Sequence, residues 1–74
     1  MKVEISNMYY IKGLILDRMQ DLDKSLLAYL DAYKANPNNK SICNNLGKVQ
    51  LQLHHYDEAE FYLRQALQLD ERLL

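Results

Sequence analysis

Residues 13–37, GLILDRMQDLDKSLLAYLDAYKANP, join a glycine inside one apolar-patterned segment to a proline at the end of the next. On either side of residue 21, apolar side chains recur at spacings of three and four, which is the pattern of one helix face. Glycine and proline interrupt helical patterns most strongly, and the chain has one proline, Pro37, and two glycines, Gly13 and Gly47. The stretch therefore predicts two helices, the second ending near Pro37.

The same apolar spacing extends through the rest of the chain, in segments 6–20, 21–36, 40–53 and 56–74. Ser6 and the pair Asn38 and Asn39 are expected to cap helix starts, and Asp57 with Glu60 resembles a capping box. No segment alternates strictly or is rich in β-branched residues, so no sheet is expected. The chain is predicted to be all-α, with four helices in a single domain that comprises residues 1–74.

Composition limits the classes of partner. The 74 residues include nine basic and ten acidic side chains, without the basic excess of a nucleic-acid or membrane-surface binder. The single cysteine, Cys43, cannot form an intramolecular disulfide, which favours a reducing compartment. Lys2, Glu4 and Lys12 interrupt the apolar run that a signal peptide needs, and no run approaches the roughly 18 residues of a spanning helix. We expect a cytoplasmic protein with no nucleic-acid partner and no membrane insertion.

The second half of the chain repeats the first with a shift of 34 residues. Three identities mark this register: Gly13 with Gly47, Asp23 with Asp57, and Ala32 with Ala66. Further pairs match in size and polarity: Met8 with Ile42, Ile15 with Val49, Met19 with Leu53, Leu22 with Tyr56, Ser25 with Ala59, Leu27 with Phe61, Tyr29 with Leu63, and Tyr33 with Leu67. A fixed period of this length indicates a repeat architecture.

One helical hairpin per 34 residues resembles the tetratricopeptide repeat (TPR) family. The first copy carries the motif at Tyr9, Gly13, Leu16, Ser25, Tyr29, Ala32 and Pro37, and the second at Cys43, Leu46, Gly47, Ala59, Leu63 and Ala66. Lys12, Gln50 and Glu71 depart from it. The resemblance implies repeats at 6–39 and 40–73, stacked as two antiparallel hairpins in a short right-handed α-solenoid.

The resemblance also explains the glycines inside helices. A glycine within a helix costs roughly 1 kcal/mol relative to alanine. Gly13 and Gly47 are therefore expected at close helix crossings, opposite the small residues Ser25 and Ala59. This close packing compensates for the lost helix propensity.

Three candidate chemical sites have simpler structural interpretations. Adjacent histidines, His54 and His55, point in different directions on any regular element, whereas helical metal ligands are three or four residues apart, so a turn is expected rather than a metal site. Cys43 lies at a core position of the repeat, and a buried thiol behaves as a small apolar group. No nucleophile with its base and no converging titratable groups are found, so we expect neither an enzyme nor a cofactor.

The tyrosines divide into two groups by their positions in the repeat. Tyr9, Tyr29, Tyr33 and Tyr56 are expected in the core. Tyr10 and Tyr62 are expected to be free for binding.

The resemblance implies a surface that binds partners. In this family the first helix of each hairpin lines a concave face that holds a peptide. The corresponding residues here are Asn7, Tyr10, Ile11, Leu14, Asp17, Ser41, Asn44, Asn45, Lys48 and Leu51. A protein or peptide partner is expected there, because asparagine amides can pair with a peptide backbone, and the alternative is an ordinary solvated face. Asn45 matches one position of the family's chaperone-tail clamp, but Tyr10 and Leu14 do not, so that specialised function is not expected.

Two alternative functions remain open. The chain could be a structural repeat that self-assembles through the open ends of its superhelix, or a TPR-type secretion chaperone. Two repeats leave the last helix uncovered, and solenoids normally need three or more repeats and a polar cap. A homo-oligomer is therefore expected, most simply a two-fold dimer or an exchange of hairpins, through Leu63, Ala66, Leu67, Leu73 and Leu74.

Overall fold

Four helices form the protein in a computed structural model that describes residues 2–72 and the side chains of residues 2–70. They are α1 (Lys2–Arg18), α2 (Leu22–Ala35), α3 (Lys40–Gln52) and α4 (Tyr56–Arg72). Helices α1 and α2 pack as one hairpin, α3 and α4 as a second, and α2 packs against α3. The predicted all-α arrangement of two hairpins is confirmed. None of the described helices has the length and apolar character needed to cross a membrane.

The helix starts agree only in part with the sequence prediction. Asn39 caps α3, because its side-chain oxygen accepts a hydrogen bond from the Ile42 amide at 3.1 Å. The prediction of Ser6 as a cap is wrong: α1 begins at Lys2, and the buried Ser6 hydroxyl donates to the Ala32 carbonyl of α2 at 3.1 Å. Helix α4 begins at Tyr56, so Asp57 lies inside the first turn, where its charge complements the helix dipole.

Both hairpins turn in the same way. Gln20 and His54, which are 34 residues apart, adopt left-handed backbone conformations with φ of 63° and 65°. The following amide in each case donates to a carbonyl five residues earlier, from Asp21 to Leu16 (2.9 Å) and from His55 to Gln50 (2.8 Å). These bonds define a Schellman motif, in which the left-handed residue is usually glycine. The repeat is therefore conserved in backbone geometry at positions where the residue types differ.

Each helix-embedded glycine lies at a close helix crossing, as predicted. A Cβ atom added at Gly13 would stand 2.5 Å from Tyr29 Cδ1, and one added at Gly47 would stand 2.6 Å from Leu63 Cγ. The Ser25 hydroxyl also donates to the Gly13 carbonyl at 2.8 Å, which joins α2 to α1 at the crossing. Glycine is required here by packing rather than by backbone conformation, because both residues are helical.

The hydrophobic core runs across the boundary between the repeats. Its fully buried members are Tyr29 of α2 with Leu46 and Val49 of α3. Partly buried apolar residues from α1, α2, α4 and the second hairpin turn pack around them: Tyr10, Leu14, Leu22, Leu26, Leu30, Tyr33, Leu53 and Tyr62. The two hairpins thus share one core, which fixes α1 and α3 relative to each other.

Candidate functional site

The ten residues predicted to bind a peptide all lie on the first helix of each hairpin, α1 or α3. Six are exposed: Asn7, Ile11, Ser41, Asn44, Lys48 and Leu51. The other four are partly buried: Tyr10, Leu14, Asp17 and Asn45. Side chains three or four residues apart share a face of a helix, so each helix contributes one row to this set.

A direct contact joins the two rows. The Asn45 side-chain amide on α3 donates to the Tyr10 hydroxyl on α1 at 2.7 Å. The Tyr10 ring also packs on Tyr29 with ring centroids 5.9 Å apart. The Asn45 donor is therefore already engaged by the protein, while its side-chain oxygen can still accept a hydrogen bond.

The Tyr29 hydroxyl lies beneath this contact. Tyr29 is fully buried, and its hydroxyl has no hydrogen-bond partner among the described residues. Burial, followed by the negative charge of Asp17, raises the pKa of Tyr29 to about 12. The phenol therefore stays neutral at physiological pH.

The structure corrects three of the tyrosine predictions. Tyr56, expected in the core, is exposed, because no further described helix packs on α4 as α3 packs on its counterpart Leu22. Tyr10 and Tyr62, expected to be free, both pack against the core. Tyr62 does so through an edge-on contact with Tyr33, at a centroid distance of 5.2 Å.

The sequence does not predict a second polar link between the hairpins. The Tyr33 hydroxyl of α2 donates to the Gln65 side-chain oxygen of α4 at 2.7 Å. Gln65 lies outside the motif, and the equivalent position in the first repeat is Asp31, so the period gives no signal for it. The bond positions α4 against the first hairpin.

The histidines and the cysteine have structural contacts. His54 Nδ1 lies 2.9 Å from the Tyr56 hydroxyl, and His55 Nδ1 lies 2.6 Å from the Gln50 side-chain oxygen. Among the described side chains, those of residues 2–70, no three histidine, cysteine or acidic groups converge as a metal site would require. Burial raises the pKa of the Cys43 thiol, which disfavours the reactive thiolate.

The residues predicted to mediate self-association, here called the apolar strip, are only partly exposed where they are described. Ala66 is buried like its counterpart Ala32, because the small side chain lies where α3 and α4 pack together, so its inclusion in the strip is wrong. Leu63 is half-buried and packs beside Gly47 inside the second hairpin. Leu67 is exposed. Leu73 and Leu74 lie outside the described residues.

This architecture, two helical hairpins with a shared core and a matching turn in each, defines a helical-repeat protein. The tetratricopeptide repeat family matches residues 6–39 and again residues 41–73. The chain therefore belongs to the tetratricopeptide repeat family.

Among solved structures, the crystal structure of MamA superposes with a TM-score of 0.84 at 28% sequence identity, over 90% of this chain and 39% of MamA. The chain thus spans well under half the length of that protein. None of the curated proteins compared with the chain matches it.

Proposed function

We propose that the chain is a non-catalytic protein-interaction module that holds an extended peptide against the row of α1 and the row of α3. The observation that carries this proposal is the 2.7 Å hydrogen bond between Asn45 and Tyr10, because it holds the two rows side by side. TPR repeats generally mediate protein–protein interaction or scaffolding, which supports the same function.

The chemistry of the rows suits a peptide with few sequence requirements. Asn7 and Asn44 are exposed amides that can both donate to and accept from a peptide backbone. Ile11 and Leu51 are exposed apolar side chains on the same two helices, available to the side chains of the peptide. With Lys48 exposed on α3 and Asp17 partly buried on α1, the rows carry charges of both signs.

The test is selection from a displayed library of random peptides, followed by titration of the selected peptides. Asn44→Ala should weaken binding about fivefold, because a lost hydrogen bond is worth about 1 kcal/mol. Asn38→Ala is the matched control, since it removes an exposed amide from the loop between α2 and α3.

Backbone chemical shifts should change along α1 and α3 when peptide is added. Shifts confined to α2 and α4, or equal losses for Asn44→Ala and Asn38→Ala, would refute the peptide surface. Failure to select any peptide would count against it as well.

Self-assembly is the second candidate, favoured by exposed apolar residues on the first and last helices. Met8 and Ile15 of α1 and Phe61 and Leu67 of α4 are all exposed. A two-fold dimer or an exchange of hairpins would cover part of this surface. The secretion-chaperone alternative and the cytoplasmic location stay predictions.

A further inference from the structure

The contact between the two repeats provides a template for the outer faces of the first and last described helices. Within the chain, α2 of the first repeat packs against α3 of the second. A shift of 34 residues places α4 in the role of α2, and α1 in the role of α3. The outer side of α4 and the outer side of α1 are therefore candidates for the same contact between two copies.

The α1 side, here called the head surface, consists of Met8, Lys12, Ile15 and Met19. Ile42 and Val49, the counterparts of Met8 and Ile15, are buried in α3. Met8, Ile15 and Met19 are 65%, 55% and 69% exposed. Large apolar side chains occupy positions that the second repeat uses for packing, yet the chain leaves them uncovered.

The α4 side, here called the tail surface, consists of Tyr56, Glu60, Arg64 and Leu67. Their counterparts Leu22, Leu26, Leu30 and Tyr33 all pack around the inter-repeat core. Leu67 is 62% exposed, and Tyr56 is exposed as well. The tail surface thus keeps apolar groups at its two ends, and a charged pair, Glu60 with Arg64 at 3.3 Å, between them.

The head offers a groove that fits one of these groups. Within the chain, Tyr33 packs on Tyr62 and donates to Gln65. The counterparts of Tyr62 and Gln65 are Ala28 and Asp31, which line a groove with Lys12, Leu16, Lys24 and Leu27. Ala28 is much smaller than Tyr62, which leaves space there, and Leu67 is the counterpart of Tyr33. A tail brought to this groove would insert Leu67 beside Ala28 and Leu27.

Charge supplies the second, independent match. Three leucines of the inter-repeat core, Leu46, Leu26 and Leu30, are replaced on the outer faces of α1 and α4 by Lys12, Glu60 and Arg64. Because these leucines belong to one core cluster, the same docking brings a lysine of the head close to a glutamate of the tail. Lys12 and Glu60 are opposite in sign, so they attract between copies, whereas charges of the same sign would repel.

We propose that copies of this chain stack head to tail, with the tail surface of one copy on the head surface of the next and Lys12 beside Glu60. This deepens the self-assembly candidate and is separate from the peptide surface. A head-to-tail contact uses two different surfaces, so it extends to chains of copies unless the rotation closes a ring.

The test measures the mass of the 74-residue chain in solution across a range of concentrations. The unaltered chain should increase in mass with concentration and pass beyond a dimer. Lys12→Glu and Glu60→Lys should each weaken association about tenfold or more, because each places like charges together. Lys48→Glu is the matched control, since it makes the same charge change at an exposed position of α3, and it should leave association unchanged.

An equimolar mixture of Lys12→Glu and Glu60→Lys should associate again, because each head then meets a tail of opposite charge. Leu67→Ser should weaken association by emptying the groove without changing any charge. Circular dichroism should show unchanged helicity for all variants, since the altered side chains are exposed.

A mass that stops at a dimer and does not respond to Lys12→Glu would overturn the head-to-tail contact but leave self-assembly by a two-fold axis. A constant monomer mass would overturn both. Neither result bears on peptide binding, which the Asn44 and Asn38 variants test separately.

Discussion

Gly13→Ala tests most directly whether the close helix crossing requires glycine, because it adds a single methyl group whose distances to its neighbours are known. The new Cβ would lie 2.5 Å and 2.6 Å from Tyr29 Cδ1 and Cε1, well inside van der Waals contact. The Tyr29 ring is fully buried and rigid, so it must move as a unit. Overpacking of this kind typically costs about 1–3 kcal/mol.

The opposing effect is the gain in helix propensity. Replacing a helical glycine by alanine contributes about 1 kcal/mol in favour of folding. Packing should outweigh it at Gly13, so we expect a net loss of up to about 2 kcal/mol in the free energy of unfolding. For a domain of this size each kcal/mol lowers Tm by about 4–8 °C.

Gly47→Ala provides a comparison within the same chain. Its new Cβ would lie 2.6 Å from Leu63 Cγ and 2.8 Å from Cδ2. Leu63 is only half-buried and can change rotamer towards solvent, so this substitution should cost less than Gly13→Ala. Gly47→Leu adds a whole side chain and should lose about 1–3 kcal/mol.

Urea unfolding followed by circular dichroism gives these differences. The chain should be measured at a dilution where it is monomeric, so that association does not contribute. Lys48→Ala, at an exposed site of α3, serves as the control for substitution on the helix surface. A Gly13→Ala variant as stable as the unaltered chain, or more stable, would show that the close crossing does not require glycine.

Two further predictions concern the buried phenol and the histidines. Tyr29→Phe should leave stability at neutral pH unchanged or raise it by about 1 kcal/mol, because it removes a hydroxyl without a partner. The pKa of Tyr29 is raised from 10.0 to about 12 in the folded chain, so the unfolded chain loses this proton at a lower pH. The free energy of unfolding should therefore fall as the pH rises from 10 towards 12. Urea unfolding should show a smaller fall for Tyr29→Phe, which has no proton to lose. For His54 and His55, Tm should be the same with a chelator or added zinc, since a structural metal contributes folding energy outright; a chelator-induced loss of helicity would contradict this.

The repeat itself could be predicted because it depends on local signals. The apolar spacing and Pro37 act within a few turns of helix, and the 34-residue register of Gly13 and Gly47 is visible in the sequence without any knowledge of contacts. The helix-embedded glycines carried further information, since a costly residue at the same position in both copies predicts a close crossing. The predicted hairpins and the predicted glycine contacts are therefore the parts that the structure reproduces.

Long-range contacts could not be predicted in the same way. Ser6 has the side chain of a helix cap, but its hydroxyl reaches Ala32 across the hairpin, 26 residues away. Tyr10 is assigned to a surface row by its position in the repeat, and only the fold brings it to Asn45 on α3. For the candidate site, sequence could name the two rows but not the hydrogen bond that joins them, because side-chain pairing depends on how α1 and α3 are placed.

Positions at which the two repeats carry different kinds of residue indicate what surrounds each repeat. Leu46 and Leu26 lie at the inter-repeat contact, whereas their counterparts Lys12 and Glu60 lie at opposite ends of the molecule. If these ends were simply solvated, polar residues of either sign would serve equally well, and Met8, Ile15 and Met19 would have no reason to stay apolar. A head surface with one lysine among apolar side chains, facing a tail surface that carries the Glu60–Arg64 pair between two apolar ends, instead combines burial with a requirement for correct register, as charged positions do at specific interfaces. The exchange of charges between Lys12 and Glu60 separates these two explanations. Solvated ends would give variants that behave alike alone and mixed, whereas stacked ends require that the mixture associate more strongly than either variant alone.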